Sequence, residues 1–203
     1  DNPRDAWDAR YRSDEYIFGI SPNVFLASQE RHLAPGTRVL AVADGEGRNG
    51  VWMAQRGCKV CSVDISPVAI EKARKLARDR AVGIEFAIAD LTDWAWPEEA
   101  FDAVVCIFIQ FASPGMRKKM FDGFWRTLRP GGVVIMEGYG VKQLQYTSGG
   151  PGKLENLYTA QIVRDAFVGW EILLLREYEA VLDEGSRHRG MAALVDLVAR
   201  KPD

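Results

Sequence analysis

Val39-Leu40-Ala41-Val42-Ala43-Asp44-Gly45-Glu46-Gly47-Arg48-Asn49-Gly50 is an apolar run that breaks into glycines and then into a helical pattern at Val51, Trp52 and Ala54. Residues 39–43 have the length and composition of a strand covered on both faces. Glycine after such a strand allows a tight turn and lets ligand atoms approach where a β-carbon would stand. The helix start that follows offers unpaired N–H groups and the positive end of its dipole. Strand, glycine turn and helix together bring the backbone of an α/β protein against a ligand.

The same rhythm continues outward. Strands are expected at 38–43, 59–65, 84–89, 103–109 and 133–139. Helices are expected at 49–56, 68–80 and 116–128. Gly57 is a helix C-cap signal, and Ser66-Pro67 pairs an N-cap with proline at the first helical position. Five strands separated by helices predict a doubly wound, mostly parallel sheet with right-handed crossovers. A helix over 155–167 and two strand-like runs, 171–182 and 191–200, follow. The turn Asp183-Glu184-Gly185-Ser186-Arg187-His188-Arg189-Gly190 joins those runs into an antiparallel hairpin. The expected architecture is a seven-stranded, Rossmann-like α/β sheet in one domain over 1–203. Residues 1–36 form an aromatic, helical cap (helices at 5–12 and 23–33), and 37–203 form the core. Residues 140–153 read as a long loop, a length that is more often functional than idle in a compact domain.

The chain has 203 residues, 47% of them hydrophobic and 27% charged, with a formal net charge of −2. That supports one buried core. Basic residues are interleaved with acids, as in Glu71-Lys72-Ala73-Arg74-Lys75, so no basic stripe marks a nucleic-acid face. Arg117-Lys118-Lys119 is short and lies on an amphipathic helix. No apolar run has the length of a membrane span, and no signal-peptide pattern opens the numbered chain. Three cysteines argue for a reducing compartment, and the expected location is the cytoplasm. Cys58-Lys59-Val60-Cys61 has no second pair and no matching histidine, so a small buried residue is the default and no metal is expected.

Gly45-x-Gly47-x-x-Gly50 fits a dinucleotide turn, and Asp64, 19 positions after Gly45, suits a ribose. NAD and S-adenosylmethionine both satisfy those two features. Asp90 at the end of the third strand, the Leu128-Arg129-Pro130-Gly131-Gly132 turn and the closing hairpin separate them. With VLAVADGEGRNG, VDIS, IADL, FDAVVCIF and LRPGG, the chain resembles the class I S-adenosylmethionine-dependent methyltransferases over nearly its whole length. The continuation GEGRN, the segment WDARY…YIFGISPNVFL, YTSGGP and the EG…HRG turn resemble the bacterial tellurite-resistance and thiopurine-methyltransferase-like group.

The resemblance implies that Asp44, Gly45 and Gly47 line the methionine end of S-adenosyl-L-methionine and that Asp64 holds the ribose. Ile65, Ala89, Asp90 and Leu91 would frame the adenine, and Cys106 and Phe108 would sit beneath the sulfonium. Two positions depart from the family pattern: Ala41 replaces the usual acid and Ala43 the usual first glycine, which would narrow the turn but needs no forbidden dihedral if its φ stays negative. Tyr11, Phe18, Tyr139, Tyr146 and His188 are the candidates for the acceptor pocket. Glu137 and His188 are the candidates for a general base, although a soft acceptor needs none. His188 has two readings, a solvated turn residue or a pocket residue that holds the acceptor with a neighbouring arginine. Ile107-Phe108-Ile109-Gln110-Phe111 lacks the Asn/Asp-Pro-Pro-Tyr of enzymes that methylate base or amide nitrogen. The expected function is methyl transfer to a small molecule, a thiol or chalcogen oxyanion, with neither nucleic acid nor membrane as partner. An NAD-dependent oxidoreductase and a non-catalytic S-adenosylmethionine-binding module are the alternatives. The sequence is silent on oligomeric state.

Overall fold

The computed structural model describes residues 2–203. Seven strands form one sheet: β1 (Arg38–Val42), β2 (Lys59–Asp64), β3 (Glu85–Ile88), β4 (Phe101–Ile107), β5 (Leu128–Tyr139), β6 (Glu171–Asp183) and β7 (Arg189–Arg200). Their order is β3-β2-β1-β4-β5-β7-β6. The first five strands run parallel, and β7 lies antiparallel between β5 and β6. The order reverses at β1, which places the glycine turn at the switch point, where such sheets leave a crevice outside their strand ends.

Alternation along the parallel strands builds two cores. Leu40, Val42, Val104, Cys106, Val134 and Met136 pack with Met120, Phe121 and Phe124 of α5 (Pro114–Thr127). Val39, Ala41, Ala103, Val105, Val133 and Ile135 pack on the other face with Phe25, Leu26 and Met53. The helix starts obey local chemistry. Ser66 accepts from Ala69 N at 3.1 Å to begin α4 (Pro67–Asp79), and Ser113 caps α5 in the same way, each with proline at the first position.

Most boundaries shift by one or two residues, and four departures are larger. The fifth strand begins at Leu128 rather than 133. Gly131, at φ +76°, donates its N–H to Lys201 O, and Gly132 O accepts from Lys201 N, so the glycine turn is absorbed into the sheet. The helix expected over 155–167 breaks. A 3-10 turn at Leu154–Asn156 is followed by Tyr158, whose N–H donates to Tyr139 O, and α6 (Ala160–Ala166) restarts on a Thr159 cap. The helix expected over 23–33 divides into α2 (Val24–Ser28) and a 3-10 turn at Glu30–His32. The long loop contains a 3-10 helix, Val141–Gln145. Its Gln143 donates to Ser148 Oγ and Gly149 O and accepts from Ala193 N.

Two further helices, α1 (Pro3–Tyr11) and α3 (Arg48–Gln55), complete the chain. The N-terminal segment lies over the glycine turn. Lys72 of α4 pairs with Glu46 of the turn and donates to the carbonyl oxygens of Ser13 and Glu15, so one ammonium binds turn and cap together. None of the described helices is long and apolar enough to cross a membrane.

Candidate cofactor and acceptor site

Gly45 and Gly47 both take left-handed φ values, +56° and +90°, for different ends. A β-carbon on Gly47 would meet Ala73 Cβ at 2.7 Å, so this glycine serves the close approach of α3 to α4. A β-carbon on Gly45 would meet the Tyr11 hydroxyl at 2.8 Å, so this glycine faces the crevice beneath the cap. Its N–H donates to Asp64 Oδ2 at 2.9 Å, while Asp64 Oδ1 accepts from Ser66 N at 2.9 Å. Each carboxylate oxygen keeps a lone pair for a further donor. Burial raises the Asp64 pKa, against the backbone N–H groups that favour its anion.

The condition for an unstrained Ala43, a negative φ, is not met: its φ is +50°. Alanine stands there in the left-handed conformation that glycine adopts freely. Ala43→Gly is therefore expected to stabilise the fold by about 0.5–1 kcal/mol, the strain relieved less the added freedom of the unfolded chain. A thermal melt would show it as a rise of about 1–4 °C; an unchanged or lower midpoint would refute the strain.

Asp44 does not turn outward into the crevice. Its carboxylate is enclosed beneath the turn, accepting from Gly50 N (3.2 Å) and Ser62 Oγ (3.0 Å). A β-carbon on Gly50 would come within 2.5 Å of it. Burial pushes its pKa to about 7, despite the Ser62 hydrogen bond. A carboxyl that loses its proton near pH 4 unfolded and near 7 folded favours the fold below about pH 4, and that contribution is lost as pH rises toward 7. Burial gives Glu46, Asp64 and Glu137 the same sign. Relative to wild type, Asp44→Asn should gain in melting temperature between pH 4.5 and 7.5. A constant difference between the two proteins across that range would sink the assignment.

At the adjoining strand ends, Ala89 N donates to Asp64 O, and Asp90 is held by Thr92 N and Oγ1. Ile65 and Ala89 are half-buried, whereas Leu91 and Cys106 belong to the core. Cys106 is fully buried, and that burial raises its thiol pKa. Phe108 follows β4 in a left-handed conformation (φ +56°). Its ring stacks on Tyr139 at 4.6 Å and meets His188 edge-on at 4.5 Å.

His188 is buried, contrary to the reading as a solvated turn residue. Phe18 packs 4.5 Å from it on the other side, and Tyr11 packs edge-on against Phe18. Burial and the Arg48 charge lower the His188 pKa to about 3, so the imidazole is neutral. The structure thus brings Tyr11, Phe18, Phe108, Tyr139 and His188 together. Tyr146 is not among them: it bonds Glu179 at the surface. Glu137 is also engaged elsewhere, accepting from Asn23 Nδ2 (2.7 Å) and the Tyr178 hydroxyl (3.0 Å). Burial and the Asp196 carboxylate raise its pKa well above the usual range, and both of its oxygens are taken by these two donors.

Sequence reasoning missed the groups that lock this chamber. Arg48 donates to Glu184 at 3.0 Å, and both are buried. Glu184 also accepts from Val24 N and Asn23 Nδ2, and Asn23 N donates to Asn49 Oδ1. Hairpin, cap and glycine turn meet there. The only signal was the presence of Arg48 and Asn49 in the glycine motif and of Glu184 in the hairpin turn.

Residues 39–132 match the family model of a methyltransferase domain. A demethylmenaquinone methyltransferase of Clavibacter sepedonicus is 35% identical over 114 residues, 52% of this chain and 43% of that protein. The chain spans less than half the length of the curated relatives it matches. Among solved structures, one reported for the conversion of a disulfide bond into a thioacetal group during echinomycin biosynthesis superposes with a TM-score of 0.81. It shares 22% identity and covers 99% of this chain and 93% of its own. TehB from Haemophilus influenzae gives 0.73 at 18% identity, covering 98% of this chain and 66% of its own. Residues 39–132 thus match the model of a methyltransferase domain, and the seven-stranded sheet that holds them has the fold of these solved structures.

Proposed function

We propose that the chain, acting as one domain over 1–203 with 1–36 as its cap, transfers a methyl group from S-adenosyl-L-methionine to a small-molecule acceptor. The carrying observation is the glycine turn at the switch point with the Asp64 carboxylate beside it. Gly45 lacks a β-carbon there, and Asp64 keeps a free lone pair on each oxygen for the ribose hydroxyls. The cofactor, when bound, supplies a methyl on a sulfonium, already activated for displacement. The chain's part is to bind, align and exclude water. Holding donor and acceptor in line contributes about 7–11 kcal/mol in effective-molarity terms. Tyr11, Phe18 and Phe108 offer aromatic faces to the sulfonium, worth about 0.5–2 kcal/mol each. A thiol or a chalcogen oxyanion is the acceptor class that needs no strong base, in keeping with an engaged Glu137 and a neutral His188.

Calorimetry with S-adenosylhomocysteine and with NADH tests this reading, followed by incubation with S-adenosylmethionine and mass spectrometry for methylated thiol, selenite or tellurite. Micromolar NADH binding with none for S-adenosylhomocysteine would restore the oxidoreductase alternative. Cofactor binding without any methylated product would favour a non-catalytic module.

A further inference from the structure

Three polar atoms in the aromatic chamber are buried and have no hydrogen-bond partner: Arg48 Nη1, the Tyr139 hydroxyl and His188 Nδ1. Their residues are 6%, 2% and 8% exposed. They come from the start of α3, the end of β5 and the hairpin turn. Tyr139 and His188 face the same glycine, since a β-carbon on Gly149 would lie 2.5 Å from the Tyr139 hydroxyl and 3.1 Å from His188 Cδ2. An unsatisfied buried polar group is costly, so two at one glycine, with the Arg48 charge acting on both, mark a site suited to a ligand's polar atoms.

Resting on the methyl-transfer reading above, we infer that the acceptor is uncharged where it meets Arg48, Tyr139 and His188, and that it presents a carbonyl-like oxygen to the Arg48 and Tyr139 donors beside a soft nucleophile, which narrows the class to a thiol. The charges around these groups balance. The Arg48 guanidinium is already paired with Glu184, which is itself held by Asn23 and Val24 N. Arg187 and Arg189 are exposed, and Arg189 pairs with Asp183. An anion would face Glu184 for little net attraction. An ammonium would face Arg48 within apolar walls, the same conditions that keep His188 from taking up a proton. A neutral carbonyl satisfies Arg48 Nη1 and the Tyr139 hydroxyl at no cost in buried charge, and Phe18 and Phe108 suit a flat apolar body.

The test uses the full chain saturated with S-adenosylhomocysteine and three probes of one frame at pH 7: 2-sulfanyl-N-phenylacetamide, 2-amino-N-phenylacetamide as its ammonium, and the carboxylate N-phenylmalonamate. Calorimetry should show the thiol binding at least tenfold tighter than either charged probe. Tyr139→Phe and His188→Phe should each weaken the thiol three- to tenfold while S-adenosylhomocysteine still binds. Equal or tighter binding of the ammonium or the carboxylate overturns the inference, as does binding of none of the three, or thiol affinity untouched in both variants. Failure of S-adenosylhomocysteine itself to bind would instead remove the methyl-transfer reading.

Discussion

Glu184→Ala is expected to lower stability by about 3–5 kcal/mol, because it leaves the Arg48 guanidinium as an unpaired buried charge. The loss does not stop at the ion pair. Val24 N and Asn23 Nδ2 lose acceptors, and the Asn23 side chain also serves Glu137 and caps α2. For a domain of this size the melting midpoint should fall by about 6–20 °C. Urea denaturation checks it, and a loss under about 1 kcal/mol would show that water reaches Arg48 freely. Arg48→Met combined with Glu184→Leu removes both charges and should recover most of the loss, since the penalty belongs to the orphaned partner.

What was legible in the sequence was local. Strands β1, β2 and β4 are short apolar runs whose neighbours on both faces are helices, so their burial is written in composition. The Ser-Pro starts of α4 and α5 carry their own caps. The antiparallel hairpin followed from two long runs around one polar turn. What was not legible came from distance. His188 is buried because Phe18 and Phe108, from opposite parts of the chain, close over it. Arg48 and Glu184 are 136 positions apart, and no spacing rule joins them. The break before α6 is forced by Tyr158, which turns its N–H to the end of β5 instead of continuing a helix. The left-handed Ala43 is the opposite lesson. Alanine gave no warning, because the turn's geometry is fixed by the sheet and the following helix and the residue must comply.

Asp64→Ala should weaken S-adenosylhomocysteine binding by about a hundredfold, which is about 2.8 kcal/mol. The carboxylate would offer one lone pair from each oxygen to the two ribose hydroxyls, and hydrogen bonds to a charged acceptor are worth about 1.5–3 kcal/mol each. The same substitution frees Gly45 N and Ser66 N, so a binding loss alone could reflect a disordered turn. Two measurements separate the causes. The first is the melt: removing a carboxyl whose burial already disfavours its charge offsets part of the lost hydrogen bonding, so unfolding should stay cooperative. The second is pH. Because burial raises the Asp64 pKa, the wild-type site loses its anion more readily as pH falls, and affinity for S-adenosylhomocysteine should drop with it. The alanine variant lacks this group and should show a clearly shallower fall, with Asp44 of the same turn as the remaining titrating neighbour. A variant within threefold of wild-type affinity, or one that keeps the wild-type pH slope, would mean that the ribose lies elsewhere. The Asp64 carboxylate would then serve only to fold the turn.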